Sequence, residues 1–367
     1  MKRMKKWLKC FALLLAAALL LCGCAGAAKA NETYPDSRSE MTKWAIGARQ
    51  TEFSPQTVEH GEDEVIQWAD PAMESHIRFL LNKPEGEIRR SDVWDIQVLR
   101  LNENGIDAAW TQPSEGETFS TADSVEDADH LAEGGTFDPV MSLQDLRYFD
   151  SLQSFRYIGK PPYSGLTDFS GLEGCSQLKA LSIHGAKPAS LAPLAALTGL
   201  ESLTLSNCGT LDLTPLEGLK ELSVVCLGQS DVLVSLEPLT ALPMLRYLDI
   251  GNGTTYPSLE PLTRTGIEFL EMGLGVGDEK SCKGLDYEPL TRMPTLQYLS
   301  LMNHLDVTTK LCKQIAAGSP NLRGLDISYT PAANHKSVLA DLDIEWVQDA
   351  ANHDITELWR RLLYKLG

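Results

Sequence analysis

The chain has 367 residues and a formal net charge of −18 at pH 7. An acidic surface is repelled by nucleic acid and by anionic membranes, so the composition argues against nucleic-acid binding and favours basic or neutral partners. A chain of this length can bury a full core, as one elongated or two compact domains.

The N-terminus has the pattern of an export signal. A basic head, Lys2 to Lys9, precedes an entirely apolar run from Phe11 to Leu21. Because a membrane-spanning helix needs about 20 apolar residues, this run is too short for a standard transmembrane anchor. We therefore interpret residues 1–23 as a signal peptide.

The end of this run, Leu21-Cys22-Gly23-Cys24, resembles the lipobox of bacterial lipoproteins. The resemblance implies that Cys24 carries a diacylglycerol thioether and becomes the first residue of the mature chain. Cys22 fits less well, since Leu21 stands where a small residue belongs. The alternative is an ordinary cleaved signal with two incidental cysteines. Loss of residues 1–23 removes five positive charges and gives −18 − 5 = −23.

The region after the signal is predicted to hold a tether and then a cap. Residues 24–63 are polar without a sustained period, which is typical of a lipidated tether. Residues 64–101 are predicted to form a helical N-cap and a first strand. Asp70 is the expected helix N-cap residue, Pro71 the first helical residue, and the helix should stop at residues 83–86.

A leucine pattern then repeats along the chain, and it predicts the fold. Cores of the form LxxLxL occur at 178–183, 200–205, 219–224, 245–250, 267–272, 296–301 and 322–327, with a weaker copy at 152–157. Between them, five Pro-Leu units recur with prolines at 193, 215, 238, 261 and 289. Two independent sequence motifs that recur with the same period indicate a solenoid.

The physical reason is that one repeat of about 22 residues cannot bury its own leucines, whereas stacked repeats bury them as one column. Leucines of LxxLxL point inward from a short strand, and the residues between them point outward. Proline lacks an N–H and therefore suits the side of the coil that carries no strand. The prediction is an α/β leucine-rich-repeat horseshoe with short parallel strands on its concave face.

Residues 65–330 resemble the leucine-rich-repeat region of bacterial surface proteins of the internalin type, and residues 68–101 resemble their helical N-terminal cap. This resemblance implies the fold and leaves the ligand open. The chain departs from it where many such repeats keep asparagine, at the last position of LxxLxLxxN. That position holds Ala186, Cys208, Leu227, Gly253, Gly275, His304 and Thr330. Residues 102–142 also break the period as an acidic, irregular insertion, so we expect a looser horseshoe, with the repeats proper at 143–334.

The C-terminal part changes character. Residues 311–322 predict a short helix on the convex side, stopped by Gly318. Residues 335–367 are interpreted as a C-terminal cap, with a strand at 342–347 and a capped helix from Asp354. The cysteines beyond Cys24 have no paired spacing and are expected to be core residues. They are Cys175, Cys208, Cys226, Cys282 and Cys312.

No catalytic or metal-binding constellation is evident, and no cofactor is predicted. The outward positions of the strands instead suggest an interaction surface. The third position of successive cores holds Ala180, Ser202, Glu221, Tyr247, Phe269, Tyr298 and Gly324. The three consecutive aromatic residues are flanked by carboxylates at Asp249, Glu271 and Asp326 and by Arg246 and Arg323. Such a row is typical of a protein-binding hot spot, although strand tyrosines also pack together without any ligand.

We therefore expect an exported protein, lipid-anchored to the bacterial cell membrane, that binds a protein partner through its concave sheet. The partner should carry a basic or apolar patch, and the chain should be a monomer. The alternatives are a cell-wall-associated hydrolase or sugar-processing protein, with its site in the insertion or the C-terminal cap, and a passive spacer without a specific ligand.

Overall fold

The computed structural model describes residues 50–52, 58–109, 118–120, 136–159, 165–274, 284–335, 342, 344 and 346–348. The signal peptide, Cys24, Cys282 and the helix expected from Asp354 lie outside them. No helix in the described ranges has both the length and the apolar character needed to cross a membrane.

An eleven-stranded sheet runs along the described chain, and ten of its strands are parallel. In spatial order they are β2 (Val98–Asn102), β5 (Ser154–Ile158), β6 (Ala180–His184), β7 (Ser202–Ser206), β9 (Val224–Cys226), β11 (Tyr247–Asp249), β12 (Phe269–Glu271), β13 (Tyr298–Ser300), β14 (Gly324–Asp326) and β15 (Trp346–Gln348). The chain is thus a leucine-rich-repeat solenoid, as the sequence predicted. Two small sheets pair β1 (Gln50–Glu52) with β4 (Thr118–Ser120) and β8 (Thr210–Leu211) with β10 (Val232–Leu233).

The inward leucines form one continuous core. Leu203, Leu248 and Leu299 are each 0% exposed and belong to a single apolar cluster that runs from the N-terminal cap to the last repeats. Their burial confirms the inward register at these strands.

The Pro-Leu units form short 3-10 turns, each with its proline at the first or second position. The turns cover Ala192–Ala196, Thr214–Leu216, Glu237–Ala241, Glu260–Arg264 and Glu288–Arg292. Ion pairs link successive turns: Arg264 contacts Glu237 at 2.6 Å, and Arg292 contacts Glu260 at 2.7 Å. These exposed pairs add little stability. The convex helix expected from residue 311 is α2, Thr309–Gly318.

The N-terminal cap contains the expected helix, α1 (Pro71–Leu80). Its N-cap residue is Asp70, whose Oδ1 accepts hydrogen bonds from the backbone N–H groups of Ala72 and Met73. The end of the predicted tether also belongs to this cap. The His60 ring stacks on Trp94 at a centroid distance of 4.4 Å, and Arg89 holds Asp63 at 3.1 Å. The acidic run was wrongly taken as a tether because its basic partners come much later in the sequence.

The start of the insertion is regular, contrary to the prediction. Strand β3 (Gly105–Ala109) pairs antiparallel with β2 and ends the sheet. The turn between them is closed by Asn102, whose Oδ1 accepts hydrogen bonds from the N–H groups of Asn104 (2.8 Å) and Gly105 (3.0 Å). This short-range side-chain contact makes a hairpin where the loss of leucine periodicity suggested a loop.

One repeat lies three residues later than predicted. Val224 pairs with Ser202 on one side and Tyr247 on the other, so the strand core is 222–227 and not 219–224. Both frames satisfy the pattern, because Leu219, Leu222, Val225 and Leu227 are all apolar and buried. Glu221, placed on the concave face by the prediction, is exposed away from that strand.

A ladder of polar side chains links the repeats, although asparagine is absent from it. Each donor is buried and reaches a carbonyl oxygen of the preceding repeat. The pairs are Cys208 with Ile183 (3.6 Å), Ser230 with Leu205 (3.2 Å), Thr254 with Leu227 (3.3 Å) and His304 with Met272 (2.7 Å). Other residue types therefore supply contacts whose absence was one of the two grounds, beside the insertion, for expecting a looser horseshoe.

His304 is the member of this ladder that carries an imidazole ring, and it is buried. Its Nε2 donates to the Met272 carbonyl, and its Nδ1 accepts from the Tyr287 hydroxyl at 2.7 Å. These partners assign the neutral ring with its proton on Nε2. Burial lowers the pKa of His304, which favours this neutral form.

Candidate interaction surface

Two rows of side chains face away from the leucine core on the concave side of the sheet. The first row follows the third core position: Ser154, Ala180, Ser202, Val224, Tyr247, Phe269, Tyr298 and Gly324. The second follows the fifth position: Arg156, Ser182, Thr204, Cys226, Asp249, Glu271, Ser300 and Asp326. Parallel in-register pairing aligns both rows across the strands.

Aromatic residues lie in the first row, in the predicted register. Tyr247 pairs with Phe269, which in turn pairs with Tyr298. The Tyr247 and Phe269 rings stack with centroids 6.2 Å apart and an interplanar angle of 29°. With Val224 and Cys226 these two residues form an apolar cluster that is separate from the leucine core, and Tyr298 packs against it. We call this set of five residues the concave cluster.

The concave cluster is buried, which differs from the exposed row that the sequence suggested. Tyr247 is 0% exposed, Phe269 is 2% exposed and Cys226 is 6% exposed, whereas Tyr298 is half-buried. An outward position on a strand fixes the direction of a side chain but does not determine what covers it. Burial of this face is therefore a tertiary property that repeat counting could not give.

The flanking carboxylates lie in the second row and also stabilise the loops after their strands. Asp249 accepts a hydrogen bond from the Gly251 N–H, and Asp326 accepts one from the Ser328 N–H, both at 2.9 Å. Asp326 is buried, while Asp249 and Glu271 are half-buried. These three residues are named the acidic row here.

The two predicted arginines lie at the start of their strands. Arg246 forms an ion pair with Glu268 of the next repeat at 3.3 Å, and Arg323 is exposed. The predicted aromatic and acidic residues thus lie on neighbouring strands of one face, and each arginine directly precedes one of these strands. Cys24 lies outside the described residues.

The opposite end of the concave face carries two arginines, a feature that the sequence prediction missed. Arg156 of β5 pairs in register with Arg100 of β2. Next to them, burial first and then Arg156 lower the pKa of His184 to about 4. The fifth-position rule, applied to the weaker repeat at 152–157, would have identified Arg156. The described arginines of the two rows thus lie near the N-terminal end of the sheet, and the acidic row lies near its C-terminal end.

The described residues show no arrangement of three or more His, Cys, Asp or Glu side chains suited to a metal ion. Four described cysteines are buried thiols and not halves of a disulfide: Cys175, Cys208, Cys226 and Cys312. Burial raises the thiol pKa of Cys175 and Cys208 to about 12 and that of Cys312 to about 11. These three thiols therefore stay protonated and unreactive in the folded protein.

No protein-family model and no curated protein matches the chain. Among solved structures, it is similar to internalin C2 from Listeria monocytogenes, with a TM-score of 0.46 and 20% identity over 69% of this chain and 91% of that one. A second internalin of that organism gives a TM-score of 0.42 and 16% identity, over 77% and 82% of the two chains. A leucine-rich-repeat protein of Leptospira interrogans gives 0.41 and 18%, over 55% and 50%.

Proposed function

We propose that this chain is a protein-binding leucine-rich-repeat module that recognises its partner through the concave cluster and the acidic row. The observation that carries the proposal is the in-register row of Tyr247, Phe269 and Tyr298 beside the carboxylates of Asp249 and Glu271. Aromatic side chains bury large areas at low conformational cost and are enriched in binding hot spots. A repeated sheet supplies the extended surface that such recognition needs.

The chemistry of the face defines the kind of partner. Apolar aromatic rings suit an apolar patch, and the acidic row attracts Lys or Arg side chains at its edge. Exposed Arg323, at the end of the same face, can pair with a partner carboxylate. The proposed partner is therefore a protein with an apolar patch bordered by basic residues, bound by a monomer of this chain.

We expect Phe269→Ala to weaken partner binding by about 2 kcal/mol or more, because it removes a central ring of the hot spot. Asp249→Asn keeps an oxygen for the Gly251 N–H and removes the charge, so it should mainly slow association and flatten its salt dependence. Both are measured by surface plasmon resonance at several salt concentrations, using a partner captured with the soluble chain from Ala25.

Glu217→Ala is the matched control, since Glu217 is exposed on the convex side. Glu217→Ala should change neither the affinity for the partner nor the association rate. A partner whose cross-linked footprint avoids Tyr247, Phe269 and Tyr298 would contradict the proposal.

The location of the module is the second part of the proposal: export, and anchoring to the cell membrane by acyl chains on Cys24. Several acyl chains on one residue give firm attachment without a spanning helix. Because Cys24 has Gly23 before it and Leu21 three positions before it, Cys24→Ala should abolish incorporation of labelled fatty acid. Cys22→Ala should leave the label in place, and loss of label in that variant would move the assignment to Cys22.

A further inference from the structure

One loop position has the same backbone conformation in several repeats. It lies three residues after the fifth position of the strand core, and its φ is positive whether Asn, Gln or Tyr occupies it. The residues and their φ angles are Asn207 (53°), Gln229 (63°), Asn252 (55°), Asn303 (65°) and Tyr329 (63°). The coil therefore imposes this left-handed conformation, which asparagine adopts more readily than most residues with a side chain.

Asn252 is the member of this set that glycine follows. Gly253 also has a positive φ, 87°, so the pair forms the centre of a turn with two left-handed residues. Both residues are half-buried. Because glycine has no Cβ, nothing on Gly253 shields its backbone nitrogen from the Asn252 side chain. For this steric reason, an asparagine before glycine is open to attack by the next backbone nitrogen.

The turn is anchored at its ends, and its centre is held weakly. Asn252 donates its N–H to the Gly273 carbonyl at 2.7 Å, and Thr254 Oγ1 donates to the Gly251 carbonyl at 2.9 Å. The bond from the Thr254 N–H to the Gly251 carbonyl, which closes the turn, is 3.5 Å long and therefore weak. Within the described ranges, the Gly253 N–H and the Asn252 side-chain amide make no hydrogen bond. Neither reacting group has to give up a hydrogen bond before the two can meet.

A second Asn-Gly pair, Asn104-Gly105, lies in the hairpin between β2 and β3. There the Oδ1 of Asn102 accepts hydrogen bonds from the N–H groups of Asn104 (2.8 Å) and Gly105 (3.0 Å). Gly105 also pairs with Asn102 in the sheet. The two pairs have the same sequence and differ in how firmly the fold holds the attacking nitrogen.

We propose that Asn252 is a site of spontaneous deamidation. The Gly253 backbone nitrogen attacks the side-chain carbonyl carbon of Asn252 and loses its proton to solvent. The bond from that carbon to Nδ2 breaks, Nδ2 takes up a proton, and ammonia leaves. One water molecule then opens the resulting succinimide ring at either of its carbonyl groups, which gives aspartate or isoaspartate. The reaction consumes water alone and replaces an amide by a carboxylate.

The product changes the loop after β11 in two ways. A new negative charge appears in the loop where Gly251 donates its N–H to Asp249 of the acidic row. Isoaspartate also lengthens the main chain by a methylene group, at a residue whose N–H bonds to Gly273 of the next repeat. The modification goes beyond the proposed function and does not depend on it, but it alters the surface that this function uses.

The reaction can be followed without any partner. The soluble chain from Ala25 is incubated at mildly alkaline pH, folded or in urea, and its tryptic peptides are separated into asparagine, aspartate and isoaspartate forms by chromatography with mass spectrometry. In the folded chain, the peptide 247–264 should convert at least roughly tenfold faster than the peptide that carries Asn104, because the hairpin must first open locally. In urea the two peptides should convert at similar rates, since glycine follows the asparagine in both.

Asn252→Gln is the matched variant, because Gln229 adopts nearly the same φ at the equivalent position. Glutamine would have to close a larger ring, so peptide 247–264 of this variant should stay unmodified. Isoaspartate that persists in the variant would overturn the assignment and move the reaction to Asp249, the other residue of this peptide that can form a succinimide.

Two further outcomes would overturn the proposal. In the folded chain, conversion of Asn252 no faster than that of Asn104 would show that the turn protects its amide as well as the hairpin does. An equally large difference in urea would assign the reactivity to the neighbouring sequence and not to the fold. Neither outcome bears on whether Phe269→Ala weakens partner binding, so the two proposals fail separately.

Discussion

Replacement of Leu248 by alanine is expected to lower the free energy of unfolding by about 2–5 kcal/mol, because it leaves a cavity in a fully packed column. Leu248 is 0% exposed and lies between Val225 and Leu270 of the adjacent strands. Leu203 and Leu299 occupy the same position in other repeats and should cost a similar amount. Urea unfolding of the soluble chain from Ala25, followed by circular dichroism, measures the change.

Gln297→Ala is the control for register, since this half-buried side chain points out of the core and donates one hydrogen bond to Glu268 at 2.8 Å. Its expected cost is about 0.5 kcal/mol. Glu201→Ala, which removes a surface ion pair with Lys179, should cost about as little. Equal losses for the leucines and these residues would contradict the inward and outward assignment.

Asp70→Ala is expected to destabilise the protein by about 2–4 kcal/mol, because one carboxylate joins the cap to the repeats. Its Oδ1 caps helix α1, and its Oδ2 accepts hydrogen bonds from the N–H groups of Met141 (2.6 Å) and Ser142 (2.8 Å). A further hydrogen bond joins the two segments: the Oδ2 of Asp145 accepts from the backbone N–H of Asp70 at 2.9 Å. The N–H groups of Ala72, Met73, Met141 and Ser142 lose their acceptor in the variant, whereas the backbone N–H at position 70 keeps Asp145.

Asp212→Ala provides the comparison. Asp212 also accepts a backbone hydrogen bond, from Thr214 at 3.0 Å, but it is exposed, and water can replace it. We expect a cost of about 0.5 kcal/mol. A cost for Asp70→Ala as small as this would show that the cap folds independently of the repeats.

Much of the concave surface was accessible from the sequence. The third-position rule placed Tyr247, Phe269 and Tyr298 in one row, because a strand period of two and a constant repeat fix both direction and neighbours. The rule failed at one repeat, where LKELSV and LSVVCL both fit the pattern, and Val224 took the place assigned to Glu221. Because apolar residues fill the inward positions of both frames, the sequence did not distinguish the inward from the outward positions of this strand.

The residues of the polar ladder could also be located only in part from the sequence. His304 and Cys208 occupy the expected position, but Ser230 follows the shifted repeat and Thr254 lies one residue beyond the position counted. Loop length differs between repeats, so the residue that meets the preceding carbonyl is set by the local backbone path. Only the folded coil identifies it.

The sequence by itself determined the repeat, the solenoid, the start of helix α1 at Asp70–Pro71 and the direction of most strand side chains, because each depends on hydrogen bonds or apolar spacing within one repeat. The tertiary structure alone decided which distant groups meet. It brought Asp145 to Asp70 and Arg89 to Asp63, and it buried the concave cluster. Such contacts join residues that are far apart in the sequence, and their partners become neighbours only when the chain has folded and excluded water from the space between them.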